Sequence, residues 1–191
     1  MQFNFHGGAE WAGGSYDLKN EILYVSSSNI PWETEVVLNN EGKKSFPETY
    51  YKYNSKFKRL KDESGYPGSK PPWGTITSIN LNTGKIIWQI PFGEYKYLAE
   101  KGVEATGTEN FGGVTGTEGG ILIATGTLDK KLYVYNSLDG SELYSYELPY
   151  IGSAPPTTYM ANGKQYIITH ATGGRTLMQG YPDLVETGNA I

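Results

Sequence analysis

Few side chains in this 191-residue chain stand where chemistry could be done, and the clearest group is the run Asn110-Phe111-Gly112-Gly113. It lies at the start of a strand, where glycines let the backbone approach a flat ligand with no Cβ in the way. Phe111 would supply an apolar floor, and an aromatic platform suits a planar, conjugated molecule; the other reading of Phe111 is ordinary sheet core. Asp129 closes the turn Gly126-Thr127-Leu128-Asp129, a place where an aspartate bonds the backbone of its own turn, so its first role is structural and a ligand contact is the second. The two histidines, His6 and His170, have no carboxylate or second imidazole at metal or triad spacing. Cysteine is absent, which removes thiolate zinc sites, thiol nucleophiles and haem attachment. No nucleophile elbow, phosphate-cradling loop or His-Glu-x-x-His occurs. The chain offers a binding surface and no convincing base.

The elements that must position these residues read as an antiparallel meander. From Thr106 to Tyr144 a glycine-rich lead is followed by a buried strand at Gly120–Thr125, a tight turn at Thr127–Lys130, a strand at Lys131–Asn136, an Asp139-Gly140 turn and a third strand. The stretch Thr75–Trp88 aligns without gaps on Lys131–Tyr144, setting Asn80 on Asn136, Gly84 on Gly140 and Trp88 on Tyr144 at a constant offset of 56 residues. A period of that order, with strand, turn glycine and closing aromatic in fixed places, is the signature of propeller blades. The expected fold is all-β, a partial β-propeller of four-stranded antiparallel blades. The aromatic after each turn should wedge against the neighbouring blade, and at Tyr144 the hydroxyl needs a partner.

The rest of the chain suits that frame. Composition favours short strands and turns, with 25 Gly, 10 Pro and 16 Tyr. From His6 the chain reads as a loop with a turn at Asp17–Asn20, followed by strands at Ile22–Ser26 and Glu33–Asn40. A short helix fits within Tyr95–Lys101, and a hairpin joins Thr157–Met160 to Gln165–Ala171 through Asn162-Gly163. Residues 41–70 carry eight of the 16 cations against four acids. They read as a solvated surface insertion with one helical turn around Lys52–Leu60, or as a docking stretch for an anionic partner or lipid headgroups. A net charge of −4 argues against nucleic acid as a partner.

Three motifs in this order, Gly107–Gly113, Gly126–Asp129 and Pro155–Ile168, resemble the last blades of the quinoprotein dehydrogenases that carry pyrroloquinoline quinone (PQQ). The run Gly-Tyr-Pro-Gly-Ser-Lys-Pro-Pro-Trp-Gly at Gly65–Gly74 is similar to their glucose dehydrogenase branch. The resemblance spans almost the whole chain. It implies that residues 1–191 are the C-terminal part of a single PQQ-binding propeller domain whose full ring has about eight blades. It places Glu10 and Trp11 toward the channel, with an interblade wedge as the alternative for Trp11, and Trp73 near the channel mouth, with packing as the alternative. Asn110, Phe111 and Gly112 would lie under the quinone rings, with Asp129 at their edge. Arg175 stands in Gly173-Gly174-Arg175 where that branch most often shows histidine; a guanidinium cannot take over an imidazole's proton transfer and would instead grip a PQQ carboxylate.

The implied activity is oxidation of an aldose such as glucose, or of another alcohol, with PQQ and Ca²⁺ as cofactors and ubiquinone or a cytochrome as electron acceptor. The base and the metal ligands are expected outside this segment. The implied location is the bacterial periplasm, with attachment to the inner membrane through a part not present here; no apolar run is long enough to span a bilayer. The chain is expected to be a piece of a larger protein and, alone, to be inactive and poorly soluble or oligomeric. Two other readings stand beside this one: a non-catalytic propeller scaffold of the bacterial envelope, and a sugar-binding, lectin-like propeller.

Overall fold

A computed structural model describes residues 8–38, 44–45, 49–50, 53–183 and 186–191. In chain order the elements are β1 (Ala9–Asp17), β2 (Ile22–Ser28), β3 (Trp32–Leu38), β4 (Lys44–Ser45), β5 (Thr49–Tyr50), β6 (Tyr53–Arg59), β7 (Gly74–Asn80), β8 (Lys85–Pro91), α1 (Lys96–Glu100), β9 (Val114–Gly116), β10 (Ile121–Ala124), β11 (Lys131–Asn136), β12 (Glu142–Glu147), β13 (Thr157–Ala161), β14 (Lys164–Ile168) and α2 (Arg175–Gly180). One four-stranded sheet has the order β1-β2-β7-β8 and a second the order β9-β10-β11-β12, all antiparallel; β13 and β14 pair as a hairpin that starts a third unit. These are two propeller blades and the inner half of another.

The offset of 56 residues extends from sequence to hydrogen bonding. Strands β7 and β8 pair Ser78 with Trp88 and then shift so that Ile79 meets Ile86. Strands β11 and β12 pair Val134 with Tyr144 and shift in the same way, so that Tyr135 meets Glu142. In both turns the glycine has positive φ, 66° at Gly84 and 74° at Gly140, and donates its N–H back to the asparagine carbonyl four residues earlier.

Neither blade can bury both faces alone, and the core forms between them. Ile22, Tyr24, Ile76, Trp88 and Ile90 from the first blade meet Val114, Leu122, Ala124, Tyr133 and Tyr135 from the second. The alternate residues of the second blade, Ile123 and Leu132 with Ile121 and Val134 beside them, pack the other way, against Leu148 and Ala171. Trp88 performs the expected wedge, its indole N–H donating to the Ser137 carbonyl at 3.1 Å, where the Tyr24 hydroxyl also donates at 3.3 Å. Its counterpart Tyr144 is 58% exposed in this chain.

Two local expectations are corrected and one element is added. The stretch before Asp17 is strand β1 rather than loop; its register against β2 jumps between Ala9 and Gly14, an irregularity that hid the period of two. The helical turn around Lys52–Leu60 is strand β6, which pairs with β3 from Trp32↔Arg59 to Leu38↔Tyr53. Its alternation was present in the sequence, with Tyr53, Phe57 and Arg59 on one face and Lys56 and Lys58 on the other, where Lys58 meets Glu33 across the strands at 3.2 Å. A helix not expected from sequence, α2, buries Leu177 against Phe111 and Trp73.

The repeat supplies its own control for interblade packing. An alanine Cβ at Gly84 meets nothing within 4 Å, whereas one at Gly140 would lie 2.9 Å from the Trp88 ring and 3.0 Å from Ile90. Gly84→Ala should cost about 1 kcal/mol of left-handed backbone strain. Gly140→Ala should cost about 2–4 kcal/mol, because overpacking adds to the same strain. Denaturant unfolding of the two variants of this 191-residue chain checks this; equal losses would contradict the seam between its two blades.

Candidate functional site

Three inner strands lie side by side, the strands that a closed propeller turns toward its central channel. The Gly116 N–H of β9 donates to Ser15 Oγ of β1 at 2.7 Å, and Thr115 Oγ1 donates at 2.5 Å to the carbonyl of Pro156, just before β13. The segment leading into β9, Thr106–Gly113, is enclosed along its whole length, with every residue from Thr106 to Gly113 buried.

Two backbone crossings enclose it. A Cβ at Gly74 would lie 1.9 Å from the Thr108 carbonyl oxygen, and one at Gly107 would lie 2.1 Å from the Gly74 carbonyl oxygen. At the other end a Cβ on Gly112 would lie 2.3 Å from the Thr125 carbonyl oxygen, and one on Gly126 would lie 1.9 Å from the Gly112 nitrogen. The space that glycine leaves open at Gly112 is therefore taken by this chain's own backbone and not by a ligand. Hydrogen bonds complete the enclosure. Thr108 N donates to the Phe92 carbonyl, Trp73 N to the Thr106 carbonyl, and Phe111 N to the Gly126 carbonyl.

The charged member of the segment, Glu109, has a partner that sequence reading did not single out. Arg59, at the end of β6, binds it through both carboxylate oxygens, Nε to Oε2 at 2.6 Å and Nη2 to Oε1 at 3.0 Å, with side chains 7% and 0% exposed. The guanidinium lies 4.7 Å from the Trp32 ring centroid and 5.4 Å from that of Tyr181. Lys61 lies against the same tyrosine, its ammonium 4.2 Å from the Tyr181 ring and donating to the Gly180 carbonyl at 2.6 Å. Burial, then the Arg59 charge, push the Lys61 pKa down; burial pushes the neighbouring phenols Tyr95 and Tyr181 well above the usual range, so both remain protonated. The available sequence signal was the place of Arg59 on the aromatic face of its strand.

The residues expected to hold a cofactor are brought to this neighbourhood in different ways. Asn110 is fully buried, and its amide N–H groups donate to the carbonyls of Ser27 and Thr108 and to Ser28 Oγ at 3.1–3.3 Å. Phe111 packs with Ile30, Trp73, Tyr95 and Leu177. Trp73 is stacked on Tyr66 at 6.3 Å and meets the edge of Tyr95 at 5.4 Å, its indole N–H donating to the Ser69 carbonyl. Asp129 accepts from Glu94 N at 2.9 Å, from Thr127 Oγ1 at 2.5 Å, from Lys131 N and from the Tyr133 hydroxyl. Glu10 and Trp11 lie on β1 and Arg175 opens α2, but the side chains of all three, and all of His6, lie outside the described residues. His170 is exposed.

These side chains offer no spare donor to a tricarboxylate such as PQQ, while one buried acceptor, Asn110 Oδ1, is left without a hydrogen-bond partner among the described residues. The Asn110 donors are already used, Asp129 is committed to its turn, and Arg59 is neutralised by Glu109. Among the described residues no cluster of three histidine, aspartate or glutamate side chains could hold a metal ion. A cavity of about 430 Å³ lies elsewhere, lined by Tyr16, Asp17, Tyr24, Gly116 and Ser137, at the far end of β1 and β9 from Asn110. The geometry is that of a wall, laced from behind. Asp129→Ala should accordingly cost about 2–4 kcal/mol in denaturant unfolding, since it strips the acceptor from four partly buried donors at once. An unchanged midpoint would contradict the structural role.

Residues 1–167 match the family model for the PQQ glucose/ethanol/alcohol dehydrogenase β-propeller domain. The quinate/shikimate dehydrogenase (quinone) of Acinetobacter baylyi is 28% identical over 191 residues, which cover 88% of this chain and 24% of that protein. The quinoprotein glucose dehydrogenase of Gluconobacter oxydans is 28% identical over 192 residues, covering 86% of this chain and 24% of that protein. A europium-containing methanol dehydrogenase superimposes with a TM-score of 0.64 at 18% identity, over 88% of this chain and 26% of that one, a likeness of fold. The chain thus spans about a quarter of the length of the relatives it matches. With two blades in register, three inner strands in a row and a family match over most of its length, the chain belongs to the PQQ-dependent glucose/ethanol/alcohol dehydrogenase β-propeller family.

Proposed function

We propose that this chain forms part of the channel wall of a PQQ-dependent dehydrogenase that oxidises a hydroxyl group on a sugar such as glucose or on another alcohol. The observation that supports this most directly is the family match over residues 1–167. The relatives named for quinate, shikimate and glucose point to a polyhydroxylated ring as the substrate class. In this reading the wall is made by Trp73, Asn110, Phe111, Gly112 and Asp129, and contact with PQQ falls to Glu10, Trp11 and Arg175, with Arg175 set against a carboxylate. The Ca²⁺ ligands and the base lie in other blades, and electrons leave to ubiquinone or a cytochrome. The place of work is the bacterial periplasm, at the inner membrane; among the described residues no helix is long and apolar enough to cross a bilayer, so a membrane anchor would be supplied by another part of the protein.

The test uses the full-length protein. Anaerobic titration with PQQ and Ca²⁺, followed by ultraviolet-visible absorption, should show saturable uptake, and addition of glucose or quinate should reduce the bound chromophore. Absence of both uptake and reduction would sink the proposal. Within that protein, Arg175→Ala should weaken PQQ binding by about 1.5–3 kcal/mol, the range for a charge-assisted hydrogen bond to a carboxylate. Arg175→Lys should retain part of it, and unchanged affinity in both variants would remove Arg175 from the site.

A further inference from the structure

Strand β6 of the β3–β6 hairpin belongs to the segment 41–70, whose sequence reads as a solvated insertion, yet the base of the hairpin is tied to the channel wall through the interior. We infer that Arg59 and Glu109 are a positioning pair: a buried clamp by which the inserted hairpin fixes the channel segment Thr108–Gly113, so that hairpin and wall form one mechanical unit.

Four observations lead to this. The fork is bidentate and desolvated, with Glu109 fully buried, so neither partner has water as a substitute for the other. The guanidinium is seated as well as paired: a Cβ at Gly180 would lie 2.3 Å from an Arg59 nitrogen, and the Trp32 and Tyr181 rings lie against it. The hairpin is hinged to the blade at the same level, where Leu60 N donates to the Pro31 carbonyl and Asn29 N to the Trp73 carbonyl. Finally, Glu109 is followed directly by Asn110, whose backbone N–H donates to Ser28 Oγ, on the last residue of β2 before the hairpin begins. The carboxylate and the next residue's amide are therefore held from the two ends of one insertion. The contrast on the same hairpin is the Glu33–Lys58 pair, whose side chains are 52% and 71% exposed and which water can replace.

The consequence for the channel rests on the functional reading above; the clamp itself does not, and it is tested without cofactor. Amide hydrogen exchange is measured by mass spectrometry on the full-length apo protein. Arg59→Met should lower protection about tenfold or more in peptides covering both 53–60 and 107–114, with the second blade's β10–β12 unchanged. Arg59→Met combined with Glu109→Leu should recover most of that protection, because no charge is left buried alone. Lys58→Met should change neither peptide. Should Arg59→Met fail to fold, Arg59→Lys, which keeps the charge and loses the fork, is the deciding variant, with both peptides expected to loosen together by a smaller factor. Loosening confined to 53–60, a double variant no better protected than the single one, or wild-type exchange in Arg59→Lys would overturn the clamp. Failure of PQQ uptake with these exchange patterns intact would fault the functional reading and leave the clamp standing.

Discussion

The structure depends on two places where backbone crosses backbone with no room for a Cβ. Gly74 meets Thr108 at one end of the channel segment, and Gly112 meets Gly126 at the other. At such spacings any side chain forces main chain to move, and main chain in paired strands has nowhere to go. The crossings draw the first blade, the insertion and the second blade onto one short run of residues. Once that run is in place, its polar groups must find partners inside the protein; the Thr108 and Asn110 amides, the Asn110 side-chain donors and the Glu109 carboxylate do so through Ser27, Ser28, Phe92 and Arg59, and Asn110 Oδ1 is left without one among the described residues.

The buried ion pair is best understood within that constraint. Desolvating a guanidinium and a carboxylate is costly, and their attraction roughly offsets the cost only when geometry is good. Such a pair adds little net stability compared with apolar residues of the same volume. It does penalise arrangements in which one partner is buried alone. A propeller assembled from similar blades has many near-equivalent ways to pack, and a buried charged contact between Arg59 and the segment leading into β9 is satisfied only when that segment packs as it does here.

The blade repeat was legible because its marks are local: a turn glycine at positive φ, an asparagine four residues before it, and an aromatic four residues after it. Those marks fixed strands, register and the wedge of Trp88. The strand β1 was not legible, since its glycines erase the alternation and only pairing with β2 makes it extended. Gly112 was legible as a place of close approach, but the approaching group could not be known without the tertiary fold; it is Thr125 and Gly126. Arg59 and Glu109 lie 50 residues apart in segments that carry no shared motif, so their pairing was invisible. The one hint, an arginine on the aromatic side of an alternating strand, was masked by the cationic composition around it.

The central proposal is that Asn110, Phe111 and Gly112 build the wall behind the cofactor and do not touch it. The structure of the full-length protein with PQQ bound tests it most directly. The account predicts that the Phe111 ring and the Asn110 side chain keep their present partners and stay beyond contact distance of the cofactor, more than about 4.5 Å from any of its atoms. A Phe111 ring stacked on PQQ, or an Asn110 amide turned from Ser27 and Ser28 onto it, would contradict the account.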